Sequence, residues 1–289
     1  MQCRREHPNL WVKLEGRTCL LWGAVESYAK VQEVITALGG RVVSEKISRV
    51  DLCVDIPGLD VRELQEAVER GQFITRANHV KPQWDLARDQ KTGFIAGKAP
   101  LYLTVYDKAA QLMGRGGADY AQAMIDRRWS GEAPKTATRV EFQCGRRWLL
   151  EQGVSSAWDF FGLQGAIAEK LTQEWFRVTD QPVDRENRNQ SRAKTLPLWV
   201  TVQAGFRRVF GEPEGELVPI QRDKIEPFRL IKQGRGCLRN ALLQMGFKCE
   251  TYGAFAEWCR WLLLRLAQRT GDYEAFIEDY KRRQTEHLS

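Results

Sequence analysis

Three short segments alternate apolar and polar residues with a period of two, and they constrain the fold more than any other feature. They are 48–56 (Ser-Arg-Val-Asp-Leu-Cys-Val-Asp-Ile), 101–108 (Leu-Tyr-Leu-Thr-Val-Tyr-Asp-Lys) and 138–144 (Thr-Arg-Val-Glu-Phe-Gln-Cys). In an extended strand successive side chains point to opposite faces. Each segment therefore predicts a strand with one apolar face to bury and one polar face. On the first, Val50, Leu52, Val54 and Ile56 share a face opposite Arg49, Asp51, Cys53 and Asp55. On the second, Leu101, Leu103 and Val105 oppose Tyr102, Thr104, Tyr106 and Lys108. On the third, Val140 and Phe142 oppose Arg139, Glu141 and Gln143.

The segments between them fill in an order. Leu10–Glu15 and Thr18–Gly23, separated by Gly16-Arg17, read as a β-hairpin. Val25–Leu38 has helical spacing and stops at Gly39-Gly40. Leu59–Gly71 reads as a helix with Asp60 as its N-cap and a terminating glycine. Gly93–Ala96 is a further strand, Tyr120–Arg128 is helical, and the chain turns helical again from Trp148. The order β-β-α-β-α-β-β-α-β favours an α+β fold, an antiparallel sheet with helices packed on one face. Residues 179–194 are polar and basic and read as a linker. Beyond it, 198–210, 238–245, 252–269 and 273–283 have helical spacing. The expected organisation is an α+β domain over 1–178, a basic linker over 179–197 and a smaller helical region over 198–289.

Composition removes several alternatives. A chain of 289 residues can bury one good-sized core, or one core and a smaller second domain. Its seven cysteines form no CxxC pair, which argues against a disulfide framework and a zinc ribbon and for a reducing compartment. No apolar run approaches the roughly 18 residues of a membrane span. Basic residues near Met1 have no apolar stretch behind them, so neither membrane nor signal peptide is expected and the location predicted is cytoplasmic. The net charge of +7 suits nucleic acid without demanding it. Gly114-Arg-Gly-Gly117 lacks the preceding strand and following helix of a phosphate-binding loop.

If the three strands are neighbours, carboxylates, a tyrosine, a lysine and an arginine converge on one surface. Carboxylate oxygens suit Mg²⁺ or Mn²⁺, and such an ion can polarise a phosphodiester. A tyrosine hydroxyl, with a pKa of ~10, becomes a nucleophile when a nearby cation favours its phenolate. Alternation is equally satisfied by a water-facing sheet surface with cross-strand ion pairs. Periodicity does not separate the two.

In order and spacing, the three segments resemble the core strands of the replication initiation factor family, the Rep_trans group of rolling-circle plasmid initiators with related phage proteins and conjugative relaxases. The likeness runs from about Leu10 to Phe161, as an Arg-hydrophobe-Asp strand, a Val-Tyr-Asp-Lys strand and an Arg-hydrophobe-Glu strand. The resemblance implies a metal-dependent, site-specific DNA nickase that forms a 5′-phosphotyrosine link. Tyr106 takes the nucleophile's place, and Asp51, Asp55 and Glu141 take the places of ligands to Mg²⁺ or Mn²⁺. The implied partner is single-stranded or hairpin origin DNA of a plasmid, phage or conjugative element, with a host helicase and a dimeric state as further expectations.

Lys108 and Arg139 are read as balancing phosphate charge. Arg49, Arg185, Arg188, Arg192 and Lys194 are read as DNA contacts. Tyr102 shares a face with Tyr106 and is the reserve nucleophile. The histidines, His7, His79 and His287, are far apart, which excludes a two-histidine metal site within one strand. Two other readings stay open: a non-catalytic DNA-binding regulator, and a metal-dependent nuclease that uses water.

Overall fold

The structure, a computed structural model, describes residues 10–86, 89–115, 117–184, 192–220, 227–247 and 251–270. In chain order its elements are α1 (Gly16–Trp22), α2 (Ala24–Ala37), β1 (Arg49–Pro57), α3 (Val61–Glu69), β2 (Phe73–Thr75), β3 (Val80–Asp85), β4 (Gln90–Lys98), β5 (Leu101–Asp107), α4 (Lys108–Arg115) and α5 (Ala118–Arg128). They continue with β6 (Ala137–Gly145), α6 (Arg146–Glu151), α7 (Ala157–Glu169), a π-helical turn (Lys170–Trp175), β7 (Phe176–Val178), α8 (Pro197–Phe210), α9 (Pro227–Gln244) and α10 (Tyr252–Thr270). Two compact units divide the chain, Met1–Gln221 and Arg222–Ser289.

In the first unit, five strands pair antiparallel in the order β1–β6–β5–β4–β3. The three alternating segments are therefore neighbours, and the fold is α+β. Leu52, Val54, Leu103, Val105, Val140 and Phe142 are at most 1% exposed. Against this face pack Leu64 and Val68 of α3, Phe160 and Ile167 of α7, Trp199, Val202 and Phe206 of α8, and Phe176 of β7. Each such side chain contributes roughly 1.5–3 kcal/mol by leaving water, which fixes the faces of all three strands together.

Local chemistry starts and stops the helices of this layer. The Asp60 carboxylate accepts from the backbone N–H of Arg62 at 2.9 Å and caps α3. Gly71, at φ 74°, closes the chain after it. A Ser156–Asp159 capping box starts α7. Where α7 widens into the π turn, the Thr172 carbonyl accepts from Trp199 Nε1 at 2.9 Å and from Gln203 Nε2 at 3.0 Å. Those two bonds tie α8 to the end of α7. Gly205 lets α8 lie close on β1, since a Cβ there would meet Ile56 Cδ1 at 2.7 Å.

Among the described residues, the opposite face of the sheet is covered at one end. Ala137, on the same face as Arg139 and Glu141, is buried in a small cluster with Leu112, Met124 and Trp129. Leu20 of α1 and Tyr120 and Ile125 of α5 pack onto that cluster. The α4–α5 pair, with α1 beside it, thus roofs the polar face at the start of β6.

The structure corrects several expectations. Residues 10–23 are not a hairpin: Gly16–Trp22 is helical and runs through Gly23 into α2. A short apolar run does not distinguish strand from helix, and here Leu20 finds an apolar neighbour on α5. The expected domain boundaries also move, because α8 belongs to the first unit through Trp199, Val202 and Phe206. The proposed linker is pinned at both ends: Thr179 bridges Thr195, Asp180 N–H donates to Lys194 O at 3.0 Å, and Leu196 N–H to Val178 O at 2.9 Å. Its centre, 185–191, lies outside the described residues. The helix expected over 238–245 is the end of the longer α9, and 273–283 lies outside the described residues.

In the second unit Phe247, just after α9, packs on Trp258 of α10, with ring centroids 4.2 Å apart, and on Trp261 at 5.7 Å. Among the described residues no helix is long and apolar enough to cross a membrane.

Candidate active site

The register of β1, β6, β5 and β4 sets the polar face out in three rows. Asp55 faces Arg139, which faces Tyr106, which faces Gly93. One row along come Cys53, Glu141, Thr104 and Ile95, and then Asp51, Gln143, Tyr102 and Gly97. The candidate residues on the three alternating strands therefore do lie on one surface, distributed between two ends.

The first row is the buried end. Arg139 Nε and Nη2 donate to Asp55 Oδ1 and Oδ2 at 2.5 and 2.7 Å, a bidentate pair. The two side chains are 9% and 2% exposed. Arg128, the last residue of α5, approaches the same carboxylate, its Nη1 4.0 Å from Asp55 Oδ2. Burial works to lower the basicity of Arg139, but its bonds to Asp55 prevail and hold the guanidinium protonated.

Tyr106 lies beside this pair. Its hydroxyl donates to Glu141 Oε2 across a long 3.4 Å. Burial pushes the phenol up to about 12, with Arg139 pulling the other way. Burial likewise raises Glu141, again against Arg139, so its carboxylate is a stronger base than an exposed one. Lys108 is brought down to about 8 by burial and by the neighbouring positive charge of Arg139. Its ammonium donates to Gln111 Oε1 at 2.7 Å and sits 5.8 Å from the Tyr120 ring centre. Beside Tyr106, Gly93 at φ 131° lets β4 come close, since a Cβ there would overlap Val105 O. The Gly93 N–H is held by Gln65 Oε1 at 2.8 Å, from a fully buried side chain.

The third row is the open end. Arg49 donates from Nε and Nη2 to Asp51 at 2.8 and 2.6 Å, but these side chains are 52% and 33% exposed. With its amide oriented to satisfy both neighbours, Gln143 donates to Tyr102 Oη and accepts from Arg49.

The three carboxylates assigned to a divalent ion do not fit one. Asp51 and Asp55 are four residues apart on a strand, about 13 Å at ~3.3 Å per residue, and Mg²⁺ requires oxygens at about 2.0–2.1 Å. Each is already in a bidentate pair with an arginine. Among the described residues no three of His, Cys, Asp and Glu come together in a way that could hold a metal ion. Asp51, Asp55 and Glu141 as a joint ligand set are therefore corrected by the geometry of a flat strand.

The expected DNA contacts are scattered. Arg49 is on the open end, Arg192 and Lys194 are exposed beyond the sheet, and Arg185 and Arg188 lie outside the described residues. Sequence reasoning missed Arg128, whose only signal is a pair of arginines ending a helix, and Gln65, a glutamine on the buried stripe of α3.

No protein-family model matches the chain, and no curated protein matches it either. Among solved structures, it is similar to a rolling circle replication initiator protein from Geobacillus stearothermophilus, with a TM-score of 0.38 and 14% identity. That likeness covers 62% of this chain and 59% of the other, so the chain spans less than two thirds of that protein's length.

Proposed function

We propose that this chain nicks and rejoins a single DNA strand through a tyrosyl-phosphate intermediate, as a rolling-circle initiator or relaxase does. One observation carries the reading: the hydroxyl of Tyr106, whose row also holds Arg139, donates to Glu141 of the next row. The resemblance of the three strand motifs to replication initiators adds to it.

With a pKa of about 12, roughly one Tyr106 in 10⁵ is a phenolate at pH 7, so attack needs a base at hand. Glu141, made more basic by burial, accepts the proton as Tyr106 Oη bonds to phosphorus. The bond from phosphorus to the 3′-oxygen breaks, and that oxygen takes a proton from the Lys108 ammonium and leaves as a 3′-hydroxyl. Arg139 faces the charge that grows on the phosphate oxygens. The DNA is linked by its 5′-phosphate to Tyr106, and the reverse sequence rejoins it. No step passes through a divalent ion, because the carboxylates assigned to one do not converge. A helicase and a second copy of the chain enter only through the resemblance.

The closed Asp55–Arg139 pair and the burial of Tyr106 favour a second reading, a non-catalytic DNA-binding protein that keeps these residues for stability. A labelled single-stranded hairpin oligonucleotide, incubated with Mn²⁺ or with a chelator and run on a denaturing gel, separates the two. The expected result is a denaturation-resistant adduct with the wild type and with Tyr102→Phe, reduced at least ~10³-fold in Tyr106→Phe. An equal adduct with Tyr106→Phe moves the nucleophile to Tyr102. Binding without any adduct or cleavage leaves the second reading.

A further inference from the structure

The buried end of the polar face holds one cation that its carboxylates do not neutralise. Both oxygens of Asp55 accept from Arg139, yet Arg128 also stands 4.0 Å from Asp55 Oδ2. Among the described residues Arg128 has this one ionic neighbour and no hydrogen bond. Its side chain is 31% exposed, where Arg139 is 9% exposed. Arg128, Arg139 and Lys108 face Asp55 and Glu141, three cationic groups against two carboxylates. Among the described residues this end of the face is therefore short of one negative charge, and a guanidinium at its rim has donors unspent.

The course of α5 places that guanidinium. Tyr120 lies by Lys108 at the end of β5, and Arg128 lies by Asp55 on β1. Eight residues of helix span about 12 Å, and the two strand spacings from β5 to β1 span about 10 Å. The helix crosses the row, and Arg128 comes down at the end opposite Tyr106.

We infer that Arg128 binds a backbone phosphate of a single DNA strand that passes along the exposed rim of this end, beside the C-terminus of α5. The inference rests on the reading that the chain binds DNA. A guanidinium presents a planar fork that matches phosphate oxygens, and the surplus of positive charge here is what a phosphate would offset.

The test is the salt dependence of binding, measured by anisotropy of a labelled single-stranded oligonucleotide. Wild type, Arg128→Gln and Arg128→Lys are compared after their unfolding midpoints show that each is folded. Each phosphate contact contributes about 0.7 to the slope of log K against log salt for a single strand. Arg128→Gln is expected to lower the slope by about that amount, and Arg128→Lys to keep it. Phenylglyoxal modification of Arg128 in the wild type, read by mass spectrometry, needs no variant, and the oligonucleotide is expected to slow it.

An unchanged slope in folded Arg128→Gln, or modification that DNA does not slow, overturns the assignment of Arg128 and leaves DNA binding intact. A wild type that binds no DNA overturns both. A lowered slope without nicking keeps Arg128 as a phosphate contact and removes the nicking reading.

Discussion

Arg139–Asp55 and Arg49–Asp51 are the same pair of residue types, both bidentate, on the same face of one sheet, with both aspartates on β1. One is almost sealed, at 9% and 2% exposure, and the other stands in water at 52% and 33%. The difference comes from α4 and α5, which close over the start of β6 and not over its end. Cover changes what an ion pair does. In water, attraction is weak and largely repaid in lost side-chain freedom. Out of water, the pair holds itself together strongly, and either partner alone becomes a liability. The covered end is also where Tyr106, Glu141 and Lys108 depart from ordinary acid–base behaviour.

The largest expected effect tests this contrast directly. Arg139→Met strands the Asp55 carboxylate out of water and should cost about 3–5 kcal/mol of stability. Adding Asp55→Asn to it should recover most of that loss, since the stranded charge is then gone. Arg49→Met at the open end should cost less than about 1 kcal/mol. Denaturant unfolding of the four proteins at pH 7 checks all three statements. Equal losses at the two ends would show that the α4–α5 roof does not seal the first pair.

How much of this could be read in the sequence follows the same division. The parity of 49–56, 101–107 and 138–144 sorted the strand residues onto their faces, because alternation is a local property of strands, but Lys108, read as the last residue of its strand, opens α4 instead. The hairpin over 10–23 failed because four apolar residues, Cys19–Trp22, between Gly16-Arg17-Thr18 and Gly23, fit either helix or strand. Strand β3 was hidden by Lys81 and Pro82, residues suited to an edge strand. At the site, the faces were legible and the pairings were not. That Asp55 would choose Arg139, and that Arg128 would arrive from a helix, depend on register and on the path of α5. The distance along β1 between Asp51 and Asp55 was available from the strand rise and already opposed a shared metal ion.

Lys108 gives the next effect in size. Burial, and then Arg139, bring it from an ordinary 10.5 down to about 8. Its folded value lies below its unfolded one, so between about 8 and 10.5 the unfolded chain binds more protons and stability rises with pH. Below about 8 the cost of a covered ammonium is fully present. Lys108→Met should therefore stabilise the protein by about 1–2 kcal/mol at pH 7, allowing for screening. That gain should shrink as pH climbs toward 10.5, which unfolding at pH 7, 9 and 10.5 would resolve. If nicking is the function, the same variant should lose its proton donor and slow, making it more stable and less active.

The smallest effect on stability is the sharpest report on the covered end. Burial raises Tyr106 from 10.0 to about 12. The folded protein then binds more protons than the unfolded chain between those values, so this contribution is complete below pH 10 and is lost as pH rises toward 12. In a spectrophotometric titration of the folded protein, one of the seven tyrosines should ionise near 12, and that step should vanish in Tyr106→Phe. Arg139→Met should move the step further up, because the guanidinium is what pulls the phenol down against burial. A step that stays where it was in Arg139→Met would mean that Arg139 is spent on Asp55. It would then have no charge to lend the tyrosine, and the sealed row would be a brace for the sheet with no activated hydroxyl in it.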